Sequence, residues 1–304
     1  MPAIEHPVPA RLNLVIAIAQ LATMLILLWL ASRVGGWELL PLALAYGLVM
    51  NSAYAMLHEA EHGMAHPFRW LNTAIGVVLA WFFPAPFHLL RQGHLGHHLR
   101  NRSDDEAFDF YFEGESVIWK RLQLYGILTG GFWLVIAAGN ILWVLFPWVL
   151  RPRRFAFDRP TEALLQSLNA RFLPVVWLEA VGAVALHATL IWWWQIPVWH
   201  WAALMAGFGC LWSAMQYVHH FGTDRHVVNG ALNLRSWRWL DLLWLHHNWH
   251  LRHHQQPTLP WIHLPDETLQ PQRDHVLTAY LRMWRGPRLT HERIENRHAG
   301  KIIR

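Results

Sequence analysis

Five imidazoles stand within nine residues at His246-His247-Asn248-Trp249-His250-Leu251-Arg252-His253-His254. On a helix, His250, His253 and His254 occupy positions i, i+3 and i+4 of one face, so three neutral nitrogens can converge on one point. That is a metal-ligand arrangement. The spacing recurs at His94-Leu95-Gly96-His97-His98, while His58-Glu59-Ala60-Glu61-His62 offers an i, i+4 pair and His219-His220 a fourth cluster. One H-x-x-H-H is commonly a solvated basic face, but two copies with two further pairs in one chain form a pattern. Counting two, three, one or two, and three donors gives about nine, which suits two ions of four to five ligands each. Imidazole donors without thiolate suit iron, copper or zinc, and open positions are compatible with dioxygen chemistry at iron.

The elements that must position these residues are apolar. The chain is 54% hydrophobic and 15% charged, with 21 Trp among 304 residues, well below the roughly 25% charge of soluble domains. A single cysteine, Cys210, excludes an intramolecular disulfide, cysteine zinc sites and iron–sulfur clusters. The net charge of +5 and pI near 9.8 mark the cytoplasmic face of a membrane protein rather than a nucleic-acid partner. Without repeats or long linkers, the chain reads as one membrane-embedded domain over residues 1–304, with a core at 11–265 and a basic cytosolic tail at 266–304. That tail is moderately amphipathic and is expected to lie as a helix on the anionic lipid face.

Residues 12–32 are almost uninterruptedly apolar, long enough at ~1.5 Å per residue to cross a ~30 Å hydrocarbon core. They are expected to form a retained helix rather than a cleaved signal. Residues 37–57 form the second span and run into His58. Residues 71–90 are broken by Pro84 and Pro86 and read as interfacial or re-entrant. The polar run from Asn101 to Glu106 reads as aqueous. Residues 122–150 are long enough to cross but carry Gly130-Gly131, Asn140 and Pro147, whereas 173–194 and 199–221 form a hairpin that ends at His219-His220.

If all boxes meet, an even number of crossings separates each from the next. Residues 122–150 then make no net crossing. With four full crossings the outer loops hold only Arg33 of the 25 Lys and Arg residues, so the boxes face the cytoplasm. The expected fold is all-α: a polytopic transmembrane bundle of about four full crossings plus interfacial helices, with a cytosolic histidine-rich cap.

Two rivals come from other classes. H-E-A-E-H matches the zinc-protease helix with glutamate as general base, but three ligands would leave at least six clustered histidines unused. A metal transporter would place its site near the bilayer midplane, whereas these boxes lie at helix ends.

The set H-E-A-E-H-G, H-L-G-H-H, Q-Y-V-H-H-F-G and H-L-R-H-H-Q-Q-P-T-L-P resembles the membrane fatty-acid desaturase and hydroxylase superfamily over roughly residues 20–265. The resemblance implies a cytosol-facing di-iron centre, a narrow tunnel for an acyl or alkyl chain, and oxidation of an unactivated C–H bond with dioxygen and two external electrons. It implies His58, His62, His94, His97, His98, His220, His250, His253 and His254 as ligands. Pro257-Thr258-Leu259-Pro260 and the H-x-x-H-H middle box are similar to those of desaturases, which favours desaturation. The segment Gln216 to Gly222 is similar to that of alkane hydroxylases, so hydroxylation and terminal-alkene formation stand as alternatives. No H-P-G-G segment of a fused cytochrome b5 is present, so a separate ferredoxin, rubredoxin or cytochrome b5 type carrier is implied.

Three further residues are expected to serve the chemistry. Glu59 lies between two ligand candidates, Asp241 is placed to orient a ligand imidazole, and Gln216 shares a helix face with His220, four residues on. That spacing selects His220 over His219, which is rotated by ~100°. Glu61, Asp104, Asp105 and Asp109 could orient ligands too. His66, His88, His246, His247 and His263 read as neighbours of the site, and Trp192-Trp193-Trp194 with Trp199 and Trp201 as an outer aromatic belt.

Overall fold

The computed structural model describes residues 6–149, 151–266 and 273–303. Helices α1 (Ala10–Leu30) and α2 (Leu39–Glu61) form a hairpin through Gly35-Gly36, with Gly36 at φ 65°, a conformation that side chains resist. Helices α3 (Arg69–Phe82) and α4 (Phe87–Arg100) meet at a 100° bend over residues 83–86, where Pro84 and Pro86 break the backbone ladder. Helices α5 (Val117–Leu128) and α6 (Gly131–Leu145) meet at 90°, with Gly130 at φ 94°. The expected end of this segment at Leu150 lies outside the described residues. After α7 (Arg159–Ser167), helices α8 (Leu173–Trp194) and α9 (Val198–Val218) form the second hairpin. Short helices α10 (Arg238–Leu243), α11 (His250–Gln255) and α12 (Val276–Met283) follow.

Side-chain hydrogen bonds tie α1 to the end of α2 and join the second hairpin to the first. Near the start of α1, Asn13 Nδ2 donates to the carbonyls of Met64 and Ala65 just beyond α2, at 3.2 and 3.1 Å. At the opposite end His200 Nδ1, in the first turn of α9, lies 2.6 Å from the Ala31 carbonyl. Both hairpin turns therefore share one end, and the histidine boxes share the other. Trp37, Trp192, Trp193 and Trp199 are exposed around the turns, as a belt requires, whereas Trp194 and Trp201 pack on the core.

Among the described residues three helices, Ala10–Leu30, Gly36–Glu61 and Ala170–Trp194, are long and apolar enough to cross a bilayer, or up to five if each bent pair counts as one span. The expected fourth crossing, α9, is less apolar because it carries His200, Gly207, Gly209 and Ser213. It lies between α2, α5 and α6, so neighbours shield it from lipid. A Cβ on Gly207 would sit 2.5 Å from the Ala43 carbonyl oxygen; small residues let the two backbones approach this closely.

Neither bent pair changes sides. Trp81, near the end of α3, packs on Gly182 midway along α8, and Trp133, near the start of α6, packs on Gly209 midway along α9. Both bends thus lie at mid-depth. Helix α4 returns to the histidine end, as does α6, whose Val144 carbonyl accepts from Trp177 Nε1 near the start of α8 at 3.4 Å.

The tail departs from the lipid-surface helix expected of it. Among its described residues only α12 is helical, and its Val276, Ala279 and Met283 pack inward. Beyond Gly286 an extended strap crosses the 101–112 loop, where β2 (Arg288–Leu289) pairs in parallel with β1 (Phe110–Tyr111). Arg225 Nη2 reaches Asp104 at 2.6 Å and the Ile294 amide donates to the same carboxylate at 2.9 Å. The Ile294 amide and Glu292 carbonyl of the strap bind protein partners, while α12 keeps Leu277 and Leu281 exposed on its outer face.

Cysteines introduced at Gly35 and Pro197 should label from one side of the membrane and one at Arg153 only from the other. Labelling of all three from a single side would refute this arrangement.

Candidate metal centre

The boxes occupy helix ends: the last turn of α2, the second half of α4, the cap of α9 and all of α11. Their ring nitrogens form two groups. His58, His62, His94 and His253 place their ligating atoms within 4.8 Å of one another, as do His97, His220, His250 and His254. His98 joins the first group, its Nε2 lying 3.1 Å from that of His94 and 2.9 Å from that of His253.

An H-x-x-H-H box therefore does not converge on one point, as its spacing suggested. On a helix, i+3 and i+4 flank i by about 60° and 40° on opposite sides. In each box the i, i+4 pair shares a group (His58 with His62, His94 with His98, His250 with His254), while the i+3 residues His97 and His253 reach across to the other.

These nitrogens fit metal ions. His62 and His94 bring Nε2 atoms to 2.8 Å, and His220 and His250 to 3.1 Å. Two bonds of ~2.1 Å at right angles put donors ~3.0 Å apart. His58 Nε2, His250 Nδ1 and both nitrogens of His254 are buried without a hydrogen-bond partner among the described residues, a costly state unless something binds them. Burial, reinforced by neighbouring imidazoles, holds His250, His253 and His254 well below the usual histidine range and His62, with Arg91 adding to burial, at about 3. Neutral rings keep their lone pairs for a metal.

A cavity of about 240 Å³ opens onto both groups, touching His58, His94, His97 and His250, and continues along Ile127, Phe132, Ile136 and Trp212 toward the apolar core. The family profile described as Fatty acid desaturase matches residues 35–284. The chain belongs to the fatty acid desaturase family. It is 25% identical over 260 residues to the sn-1 oleoyl-lipid 12-desaturase of Arthrospira platensis, covering 79% of this chain and 70% of that protein. The enzyme of the same name from Synechocystis is 26% identical over 244 residues, covering 74% and 66%. The acyl-lipid omega-3 desaturase (cytochrome b5) of the Arabidopsis thaliana endoplasmic reticulum is 25% identical over 297 residues, covering 88% and 70%. Like other members of its family, the protein is an oxidoreductase, and its apolar helices make it an integral membrane protein.

Around the two histidine groups, the residues expected to assist them divide. Gln216 lines the cavity, where its Oε1 accepts from Tyr54 at 3.4 Å. Asp241 binds His246 Nδ1 at 2.8 Å and Asn248 at 3.2 Å, and Asn248 in turn meets His219 at 3.3 Å, so it orients neighbours of the ligand set. Glu59 instead accepts from the Trp261 amide at 3.1 Å, while Trp261 Nε1 donates to Asn13 at 2.9 Å. It ties the chain after the last box to α1 and α2, which also removes the general base of the zinc-protease reading. Glu61 is the carboxylate of that box that lines the cavity, with Oε2 unpartnered among the described residues.

The run from Asn101 to Glu106 is not aqueous. Asn101, Arg102 and Ser103 are buried. Asp109, expected near an imidazole, is paired with Arg102 at 2.6 Å and accepts from the Tyr217 hydroxyl at 2.5 Å. Asp104 and Asp105 bind Arg225 and Asn296. Sequence reading passed over Glu106, whose Oε2 meets His97 Nδ1 at 2.7 Å, and the Gly230 carbonyl, 2.8 Å from His220 Nδ1. Loop geometry placed both, and no spacing rule signals it. His88 pairs with Glu179, His66 caps Phe68, and His263 meets His6 ring to ring at a tilt. His247 lies beside His58 and His250, and burial lowers its pKa to about 3.

His220 stands in the second group and His219 against Asn248. Accordingly, His220→Ala is expected to lose iron and all activity, and His219→Ala to keep most of the metal with partial activity. Metal analysis showing the reverse pattern would overturn the assignment.

Proposed function

We propose that this protein desaturates a fatty acyl chain carried by a membrane lipid, at two iron ions held by the nine histidines. The ligands would be His58, His62, His94, His98 and His253 for one ion and His97, His220, His250 and His254 for the other. The observation that carries this reading is the cavity, whose apolar end runs into the bundle and whose polar wall exposes both histidine groups. An extended hydrocarbon fits such a shape, and a polar substrate does not.

Bound iron supplies the activation of dioxygen that an unactivated C–H bond requires. In balance, two hydrogens from adjacent carbons join dioxygen, two electrons and two protons to leave an internal double bond and two waters. The chain's own part is positional. Ile127, Phe132, Ile136 and Trp212 hold the chain and exclude water, and the i, i+4 pairs keep both ion sites beside one stretch of it.

The names of the three relatives support a lipid-linked acyl substrate, and one of them supports a cytochrome b5 type electron carrier. The concentration of Lys and Arg at the histidine end supports an active site facing the cytoplasm. Glu61 and Gln216, both on the cavity wall, are the best-placed polar groups near the reacting carbons.

Lipids and volatiles from cells expressing the protein are expected to contain a new internal double bond, falling to background with His254→Ala. An alcohol or chain-shortened terminal alkene without an internal double bond would refute desaturation.

A further inference from the structure

The two histidine groups are held differently. His97 Nδ1 faces Glu106 Oε2 at 2.7 Å, with the Glu106 side chain only 11% exposed. The other oxygen, Oε1, accepts from Arg100 Nε at 2.8 Å. Arg100 Nη1 reaches Ser167 Oγ at 3.4 Å, and the Ser167 carbonyl accepts from the Ile303 amide at 3.0 Å, at the end of the C-terminal strap. Among the described residues no carboxylate hydrogen-bonds to His58, His62, His94, His98 or His253.

Gly96 belongs to the same device. A Cβ there would lie 2.3 Å from Arg100 Nη1 and 3.1 Å from its Cζ. Arg100 stands four residues after Gly96 on α4, so its guanidinium folds back over the missing side chain. The glycine of H-L-G-H-H thereby makes room for the arginine that holds Glu106.

We propose that Glu106 is a positioning residue for the second histidine group alone, so that the two ions are bound unequally and depend on different parts of the fold. This rests on the two-iron reading above. By accepting from His97 Nδ1–H, Glu106 fixes the tautomer, turns Nε2 toward His220, His250 and His254, and strengthens that nitrogen as a donor. Among the described residues the first group has no such carboxylate, so its ion does not depend on Glu106.

The test is chelator challenge of iron-loaded protein, with metal counted per chain and ⁵⁷Fe Mössbauer spectra recorded before chelation. Glu106→Ala should weaken one of the two ions by about 10–100-fold and leave the other at wild-type affinity. Glu106→Gln keeps the shape and remains available if the alanine variant fails to fold. It should show a smaller loss, with one iron signal changed and the other unchanged. Gly96→Ala should displace Arg100 and weaken the same ion. Equal loss of both ions, or wild-type retention of both in Glu106→Gln, would overturn the proposal while leaving the two-iron reading intact. Wild-type protein that binds fewer than two irons would overturn both.

Discussion

Nine imidazoles gathered inside the end of an apolar bundle leave basic nitrogens facing one another at 2.8–3.1 Å. Each such contact is a hydrogen bond only where one ring holds its proton on Nε2, whereas a cation between the rings would engage every facing lone pair at once. The rest of the structure arranges for this cluster to exist, with helices ending where the boxes begin and loops folded to close over them.

Buried ion pairs hold the closing loops, alongside apolar packing of Phe112 and Leu234. Arg102 and Asp109 are fully buried and share the Tyr217 hydroxyl, and Tyr217 lies three residues before His220. Breaking such a pair costs about 3–5 kcal/mol because the remaining charge stays buried. Asp104 and Arg225 repeat the device one layer out, where the C-terminal strap crosses. The strap thus forms the outer wall of the region that carries His97 and His220.

The bent pairs supply the space for a substrate. A straight crossing in place of α3–α4 or α5–α6 would fill the bundle. Bends at residues 83–86 and at Gly130 halt each pair at mid-depth. Phe132 stacks on Trp212 at 5.5 Å below the histidines, and between them and α4 the cavity remains open.

The sequence alone determined the long apolar helices, the class of bundle and the histidines, because hydropathy and i, i+4 spacing are local properties of a helix. Helical rotation from Gln216 favoured His220 over His219, but α9 ends at Val218, and it is the turn beyond it that sets His220 in the second group. Tertiary structure alone decided how the nine histidines divide between two groups, because i+3 residues reach partners on other helices. It alone showed that Glu59 binds Trp261 while Glu61 meets the cavity, and that the polar run before Asp109 is buried. Polarity reads the same whether a group is solvated or paired inside. Only the fold shows which partner has replaced water.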